Sequence, residues 1–99
     1  MNPAELNKVI HERVRLAIMS ALVTRGRLTF PELKEMLDVT DGNLSVHAAL
    51  LEKHGLIRID KDFHGKKPRT TFSITEEGRR QFQEYIVELE RMLAQVKKA

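Results

Sequence analysis

Basic side chains are concentrated between residues 58 and 75. This segment carries two acids, Asp60 and Asp62, and five bases: Arg58, Lys61, Lys66, Lys67 and Arg69. The excess of three positive charges equals the net charge of +3 of the whole chain. Carried on one short hairpin, such a cluster would make a local positive field suited to binding phosphate groups.

The four His residues are the other candidates for chemistry, as metal ligands. His47 and His54 would lie two turns apart on a helix, and His64 falls in a predicted loop, so no His/Asp/Glu set with ligand spacing is present. The chain has no Cys, which excludes disulfides and thiolate sites. It also lacks a Gly-rich phosphate loop, a nucleophile elbow and paired acids. We therefore expect no catalytic residue, no metal site and no cofactor.

The length of 99 residues predicts one domain, residues 1–99, near the lower limit for burying a self-sufficient core. A partner subunit would add to that core. No apolar run is long enough to cross a membrane, and Glu5 and Glu12 interrupt the N-terminus where a signal peptide would be apolar. We expect no membrane association and a cytoplasmic location.

Capping residues and apolar spacing predict the first two helices. Asn2, Pro3 and Glu5 are typical of a helix start, and a first helix would run from Pro3 to Gly26, with a break near His11 as the alternative. A short extended piece follows at residues 27–28. Thr29 and Glu32 then have capping-box spacing for a short second helix.

The third helix is predicted after the turn "DVTDGN", with Thr40 as its cap and Gly55 at its end. Its inward positions are Leu44, Ala48 and Leu51. No Lys or Arg occurs between Thr40 and Lys53.

Two strands and a long helix complete the chain. Residues 56–63 alternate as a strand, residues 64–69 are typical of a loop, and residues 70–74 are a β-branched return strand, so that a wing of about residues 57–74 is expected. A last helix of about residues 76–97 follows. Its apolar seam calls for a partner helix and comprises Phe82, Ile86, Leu89, Leu93 and Val96, flanked by Tyr85 and Met92.

Several stretches of the chain carry a family resemblance. They are "VRLAIMSAL", "LTFPELKEML", "TDGNLSVHAALLEKHGLI", "GKKPRTTFSIT" and "TEEGRRQF". With these stretches the sequence resembles MarR/ArsR-type transcriptional regulators of the small single-domain kind, almost from end to end. The resemblance implies a mainly α winged helix-turn-helix with a small β-hairpin and with N- and C-terminal dimerisation helices. It also implies that His47 is a structural residue.

In that family the third helix is the recognition helix and the wing touches the DNA backbone or the minor groove. Relatives commonly carry Arg, Lys or Gln on the exposed face of this helix and Leu after the His, where this chain has Val46, Ala48 and Ala49. We expect Asn43, Ser45, Val46 and Ala49 to face the bases or the groove. The backbone contacts would come from the five wing bases.

The resemblance further implies a homodimer that pairs through its terminal helices and binds a palindromic double-stranded DNA site. A cleft between the dimer helices and the DNA-binding lobe could receive a small-molecule effector, although no ligand signature identifies one. The predicted function is sequence-specific DNA binding in transcriptional control. The alternative is a winged-helix protein-interaction module, in which the neutral third helix docks a partner and the wing charge is incidental.

Overall fold

A computed structural model describes residue 2 and residues 6–99 of the chain. Four helices and three strands follow in the order α1 (Arg13–Arg25), β1 (Arg27–Thr29), α2 (Phe30–Leu37), α3 (Asp41–Lys53), β2 (Ile57–His64), β3 (Lys67–Ile74) and α4 (Glu76–Lys98). This is the element order of a winged helix-turn-helix. It confirms the predicted fold class of helices with a small β-hairpin.

The N-terminal segment differs from the prediction of one helix from Pro3 to Gly26. Pro3 and Glu5 lie outside the described residues, but residues 6–12 form turns and α1 begins only at Arg13. The cause is Asn7, whose side-chain oxygen accepts hydrogen bonds from the backbone N–H groups of Val9 (2.9 Å) and Ile10 (3.1 Å). Such a local turn competes with helix formation. The predicted helix is therefore interrupted near His11, which was the alternative prediction from the sequence.

The caps of α2 and α3 are those that the sequence predicts. The hydroxyl of Thr29 accepts from the backbone N–H of Glu32, and the Glu32 carboxylate accepts from the backbone N–H of Thr29. The hydroxyl of Thr40 accepts from the backbone N–H of Asn43 at 3.1 Å. These bonds satisfy backbone donors that a helix start leaves unpaired, and they fix where α2 and α3 begin.

The three strands form one antiparallel sheet in the order β1-β3-β2. The expected loop over residues 64–69 is wrong: β2 continues to His64, β3 starts at Lys67, and only two residues turn between them. Gly65 takes a φ of 67° as the first of the two, where a tight hairpin turn needs positive φ. The wing is therefore two eight-residue strands joined by a two-residue turn.

One hydrophobic core joins the helices to the root of the sheet. Its fully buried members include Ile18 and Leu22 of α1, Leu33 of α2 and Phe72 of β3. The predicted inward positions of α3 are confirmed, since Leu44, Ala48 and Leu51 are all fully buried. The orientation of α3 is thus fixed by its apolar face, and its opposite face is left to solvent.

Helix α4 divides into a buried first half and an exposed second half. Thr75 caps it by accepting from the backbone N–H of Gly78 at 2.9 Å. Tyr85 is buried, whereas Leu93 is 50% and Val96 63% exposed. No helix in the described part of the chain combines the length and the apolar character that crossing a membrane requires.

Candidate nucleic-acid interface

The outer face of α3 is small and uncharged from Asn43 to Ala49. The four residues predicted to face DNA are all exposed there: Asn43, Ser45, Val46 and Ala49. Val46 is 68% exposed although it is apolar. Because no long side chain stands on this face, a second surface can approach the helix backbone closely.

The acid at the start of α3 is neutralised by a neighbouring helix. A carboxylate oxygen of Asp41 lies 2.7 Å from the Nζ atom of Lys34 in α2. Both side chains remain largely exposed, so the pair itself adds little stability. Its effect is local: the negative charge of Asp41 is balanced where the helix presents its N-terminal backbone donors. Lys34 was not among the predicted site residues.

Two of the five wing bases are engaged by acids on the same hairpin. The guanidinium of Arg58 donates to Asp60 at 3.0 Å, and that of Arg69 donates to both carboxylate oxygens of Asp62 at 3.2 Å. The Arg69 hydrogen bonds hold the pKa of the Asp62 carboxyl below its ordinary value. This pair therefore persists at neutral pH and is lost only as the pH falls through that lowered pKa.

The other three wing bases are free of such pairs. Among the described residues, no acid lies within ion-pair distance of Lys61, Lys66 or Lys67. All three are exposed, and two of them lie at or beside the turn. The unbalanced positive charge of the wing is therefore carried by three lysines and not by five bases.

A groove of about 440 Å³ separates the outer face of α3 from the wing. Ser45 and Ala49 line it from the helix, and Lys61 and Thr70 line it from the hairpin. Glu52 closes one side, where its carboxylate accepts from the backbone N–H of Ile59 at 3.0 Å. The structure thus brings Ser45, Ala49 and one of the free lysines to the same opening, whereas Asn43 and Val46 are not among its lining residues.

His47 supports α3 from the opposite side. Its Nδ1 atom lies 2.9 Å from a guanidinium nitrogen of Arg15 and 3.5 Å from a carboxylate oxygen of Glu12. A guanidinium can only donate, so Nδ1 accepts this hydrogen bond. Burial would raise the pKa of Glu12, but hydrogen bonds from the backbone N–H groups of Arg15 and Val14, together with the charge of Arg15, outweigh it and lower that pKa.

This network places His47 in a structural role, as the resemblance implied. Glu12 and Arg15, which complete it, were not predicted, because they lie more than 30 positions away in the sequence. His11 makes a separate contact at 2.7 Å with the hydroxyl of Tyr85. Within the described ranges, no three His, Asp or Glu side chains are placed to hold a metal ion.

The predicted dimerisation residues fall into three groups by burial. Phe82 and Tyr85 are 9% and 1% exposed and belong to the core of the single chain. Ile86, Leu89 and Met92 are partly buried against that core, whereas Leu93 and Val96 are exposed. The surface of α4 that remains for a partner therefore starts near Ile86 and extends towards the C-terminus.

Comparison with known proteins agrees with this architecture. A family model described as the winged helix DNA-binding domain matches residues 14–93. An uncharacterized protein of Methanocaldococcus jannaschii is 35% identical over 82 residues, which cover 83% of this chain and 89% of that protein.

Among solved structures, a transcriptional regulator homologue from Pyrococcus horikoshii OT3 is 31% identical, with a TM-score of 0.84 over 89% of this chain and 87% of that one. An ArsR family transcriptional regulator shares the fold at 23% identity, with a TM-score of 0.62 over 88% of this chain and 90% of its own. The Pyrococcus horikoshii protein is described as a transcriptional regulator homologue and not as an enzyme, and the winged-helix DNA-binding fold that the resemblance implied is confirmed. The chain belongs to the winged helix DNA-binding domain family.

Proposed function

We propose that this protein is a sequence-specific transcriptional regulator that binds a palindromic double-stranded DNA site as a homodimer. The observation that carries the proposal is the groove between α3 and the wing, where the small side chains of Ser45 and Ala49 lie beside the unpaired Lys61 and the one acid of the lining, Glu52, is bound to the backbone of Ile59. Such a surface suits a groove of duplex DNA flanked by phosphates.

In this proposal the N-terminal half of α3 reads the bases of the major groove. The Asn43 amide has the donor and acceptor needed to pair with adenine, and the Ser45 hydroxyl can bond to a base edge or a phosphate. Val46 and Ala49 supply apolar contact, which suits the methyl group of thymine. The partial positive charge of the helix N-terminus favours phosphate, and Lys34 balances Asp41, the acid in the first turn of α3.

The wing supplies the electrostatic attraction. Lys61, Lys66 and Lys67 are free to contact phosphates, whereas Arg58 and Arg69 must first leave their carboxylate partners. Six free lysines in a dimer would release about six counterions, giving a slope of roughly −5 for log K against log salt concentration. Engagement of all ten wing bases would give a slope of roughly −9. The measured slope therefore decides which bases contact the backbone.

The second half of α4 is the proposed pairing element. Leu93 and Val96 continue the apolar seam beyond the body of the chain, where no described residue covers them. A chain of this size gains core by burying such a seam against a second copy. A twofold dimer would present two α3 helices about 34 Å apart, which matches successive turns of one face of DNA.

Selection of bound sequences from a random duplex pool tests the proposal. The expected result is an enriched palindrome with two half-sites one helical turn apart. No enrichment, together with no retention on random duplex at low salt, would refute DNA binding and favour the protein-interaction module instead. Enrichment of a single unrepeated half-site would retain DNA binding and refute the palindrome.

Paired substitutions separate the two roles. Lys66→Ala with Lys67→Ala should weaken binding to all duplexes and make the salt slope shallower by about one unit for each phosphate that the wing no longer binds. The matched control replaces Lys97 and Lys98, the exposed pair at the end of α4, with Ala. It should leave the affinity for duplexes and the salt slope unchanged. Asn43→Ala should relax base preference at one position per half-site by about 1–3 kcal/mol, without changing the slope.

A further inference from the structure

Arg13, the first residue of α1, lies beside the helix that is proposed to read the bases. It lines a pocket of about 270 Å³ together with Thr40 and Asn43 at the start of α3. The side chain is exposed, and among the described residues no acid lies within ion-pair distance of it, although Asp38 lines the same pocket. A free cation therefore stands next to Asn43, outside the wing.

Arg13 and the wing lie on opposite sides of α3. Ser45 lines the groove towards the wing together with Lys61. Asn43 precedes Ser45 by two residues, which places it about 200° further around the helix axis. The exposed face of α3 is therefore bordered by Lys61 on one side and by Arg13 on the other.

Contacts with His47 hold the start of α1 against α3. His47 follows Asn43 by four residues and so shares its side of the helix. Its Nδ1 atom lies 2.9 Å from a guanidinium nitrogen of Arg15 and 3.5 Å from a carboxylate oxygen of Glu12. These two residues stand on either side of Arg13 in the chain. The backbone at Arg13 is therefore fixed beside α3.

The same side of α3 lies towards α4. The side chain of Asn7 donates to that of Gln81 at 2.9 Å, and Nδ1 of His11 lies 2.7 Å from the hydroxyl of Tyr85. These contacts join the segment before α1 to α4. In a twofold dimer paired through α4, Arg13 then lies on the side of α3 nearer the axis, and the wing lies on the outer side.

The dimensions of duplex DNA give these two sides separate phosphates to contact. An α-helix is about 10–12 Å across, and the major groove is about 12 Å wide. A helix seated in that groove therefore has one sugar-phosphate strand on each side. Lys61 faces one strand and Arg13 faces the other. A guanidinium suits this role because its fixed N–H groups can donate to two oxygens of one phosphate.

We propose that Arg13 contacts the DNA backbone between the two half-sites of the palindrome, on the side of α3 away from the wing. The inference rests on the proposed function. It gives each protomer a phosphate contact that is separate from the wing and adjacent to Asn43. Two such contacts in a dimer would steepen the salt slope from the value of roughly −5 for the six wing lysines to roughly −7.

The first experiment measures binding of Arg13→Ala to the selected duplex over a range of salt concentrations. The slope should become shallower by roughly two units, so that between about 50 and 200 mM salt the wild type loses about tenfold more affinity than the variant. Arg13→Lys keeps the charge and should keep the slope.

Arg25→Ala is the matched control. It removes an exposed arginine from the other end of α1, roughly 18 Å from Arg13, and should leave the affinity and the slope unchanged. An Arg13→Ala protein with wild-type affinity and slope, on a duplex that the wild type binds, would overturn the inference and leave the proposed function standing.

The second experiment locates the contact on the DNA. Uncharged methylphosphonate groups replace the phosphates either between the half-sites or outside them. Central replacement should weaken the wild type and leave Arg13→Ala nearly unaffected, whereas replacement outside the half-sites should weaken both proteins. An equal loss for both proteins on the centrally neutralised duplex would overturn the placement between the half-sites.

Random duplex provides the third experiment, because its backbone is the same as that of the selected site. Arg13→Ala should weaken binding to random and selected duplex by the same factor, since a phosphate carries no sequence information. A loss confined to the selected duplex would make Arg13 a base-reading residue and overturn the backbone contact. If the wild type binds no duplex at all, the inference fails together with the proposed function.

Discussion

Replacing Gly78, in the first turn of α4, with Ala is expected to destabilise the fold, although helix propensity favours Ala over Gly. A Cβ atom at this position would lie 2.9 Å from the carbonyl carbon of Leu56, nearer still to its oxygen, and 2.9 Å from the Cδ1 atom of Ile74. Carbon atoms pack optimally at about 3.5–4.0 Å, so the obstacle includes backbone and cannot be removed by rotating a side chain. The carbonyl of Leu56 also accepts from the backbone N–H of Thr75, which ties the start of α4 to this point.

The sign of the effect follows from comparing two magnitudes. Ala is favoured over Gly in a helix interior by about 1 kcal/mol. Forcing one extra carbon into a packed site costs about 1–3 kcal/mol, and more where backbone must move. We expect Gly78→Ala to destabilise the fold by about 1–2 kcal/mol net, because α4 must shift away from the α3–β2 junction. That junction positions both α3 and the wing, so DNA binding should weaken as well.

Gly42 provides the matched control. It also lies in the first turn of a Thr-capped helix, but a Cβ atom there would meet nothing within 4 Å. Gly42→Ala should therefore be neutral or stabilising by up to about 1 kcal/mol. Urea unfolding followed by circular dichroism, at one protomer concentration for all variants, measures both changes. A Gly78→Ala protein as stable as Gly42→Ala would refute the close packing of α4 on Leu56.

Three further predictions concern the core, the wing and the pairing helix. Leu51→Ala should cost about 2–5 kcal/mol in urea unfolding, whereas Asn43→Ala should change stability by less than about 0.5 kcal/mol; equal losses would mean that the orientation of α3 is wrong. Asp62→Asn should free Arg69 and strengthen binding to random duplex with a steeper salt slope, and an unchanged slope would exclude Arg69 from the backbone contact. Leu93→Glu should yield a folded monomer by sedimentation, and a dimer that persists at micromolar concentration would place the pairing surface elsewhere.

Local sequence signals predicted the helix-turn-helix well. Thr29 and Thr40 act as caps because a side-chain oxygen beside a free backbone donor needs no distant partner. The inward residues of α3 could be predicted from the spacing of its apolar residues, because side chains at that spacing share one face of a helix and that face is buried. These signals lie within a few residues of the structure that they determine, and the fold could therefore be predicted from them.

The errors arose where a side chain competed with the backbone or where strand pairing extended further than composition suggested. The Asn7 amide captured two backbone donors and replaced the expected helix with turns. Most of residues 64–69, which were predicted as a loop, pair as strands, because Gly65 allows a two-residue turn. Neither result follows from periodicity, since each depends on which hydrogen bond a particular polar group makes.

The charge distribution of the site depended on register, which the sequence does not display. Asp62 and Arg69 stand directly opposite each other only because the hairpin turns at residues 65 and 66; a shift of one residue would part them. Lys34 and Asp41 meet only because α2 and α3 pack around a tight turn. A count of charges along the chain therefore gave the right excess for the wing but could not show which bases carry it, and it missed the cation beside α3.

These corrections explain how a recognition helix with no Lys or Arg before Lys53 can face a polyanion. A cationic side chain on α3 would add attraction to any phosphate and so strengthen binding to every sequence alike. The exposed face of α3 instead carries Asn43, Ser45 and Val46, whose contacts depend on which base edge they meet. The attraction is placed on the wing, where free lysines reach phosphates without touching bases. Under the proposed function, affinity common to all DNA and discrimination between sequences reside on different elements, and each can change without loss of the other.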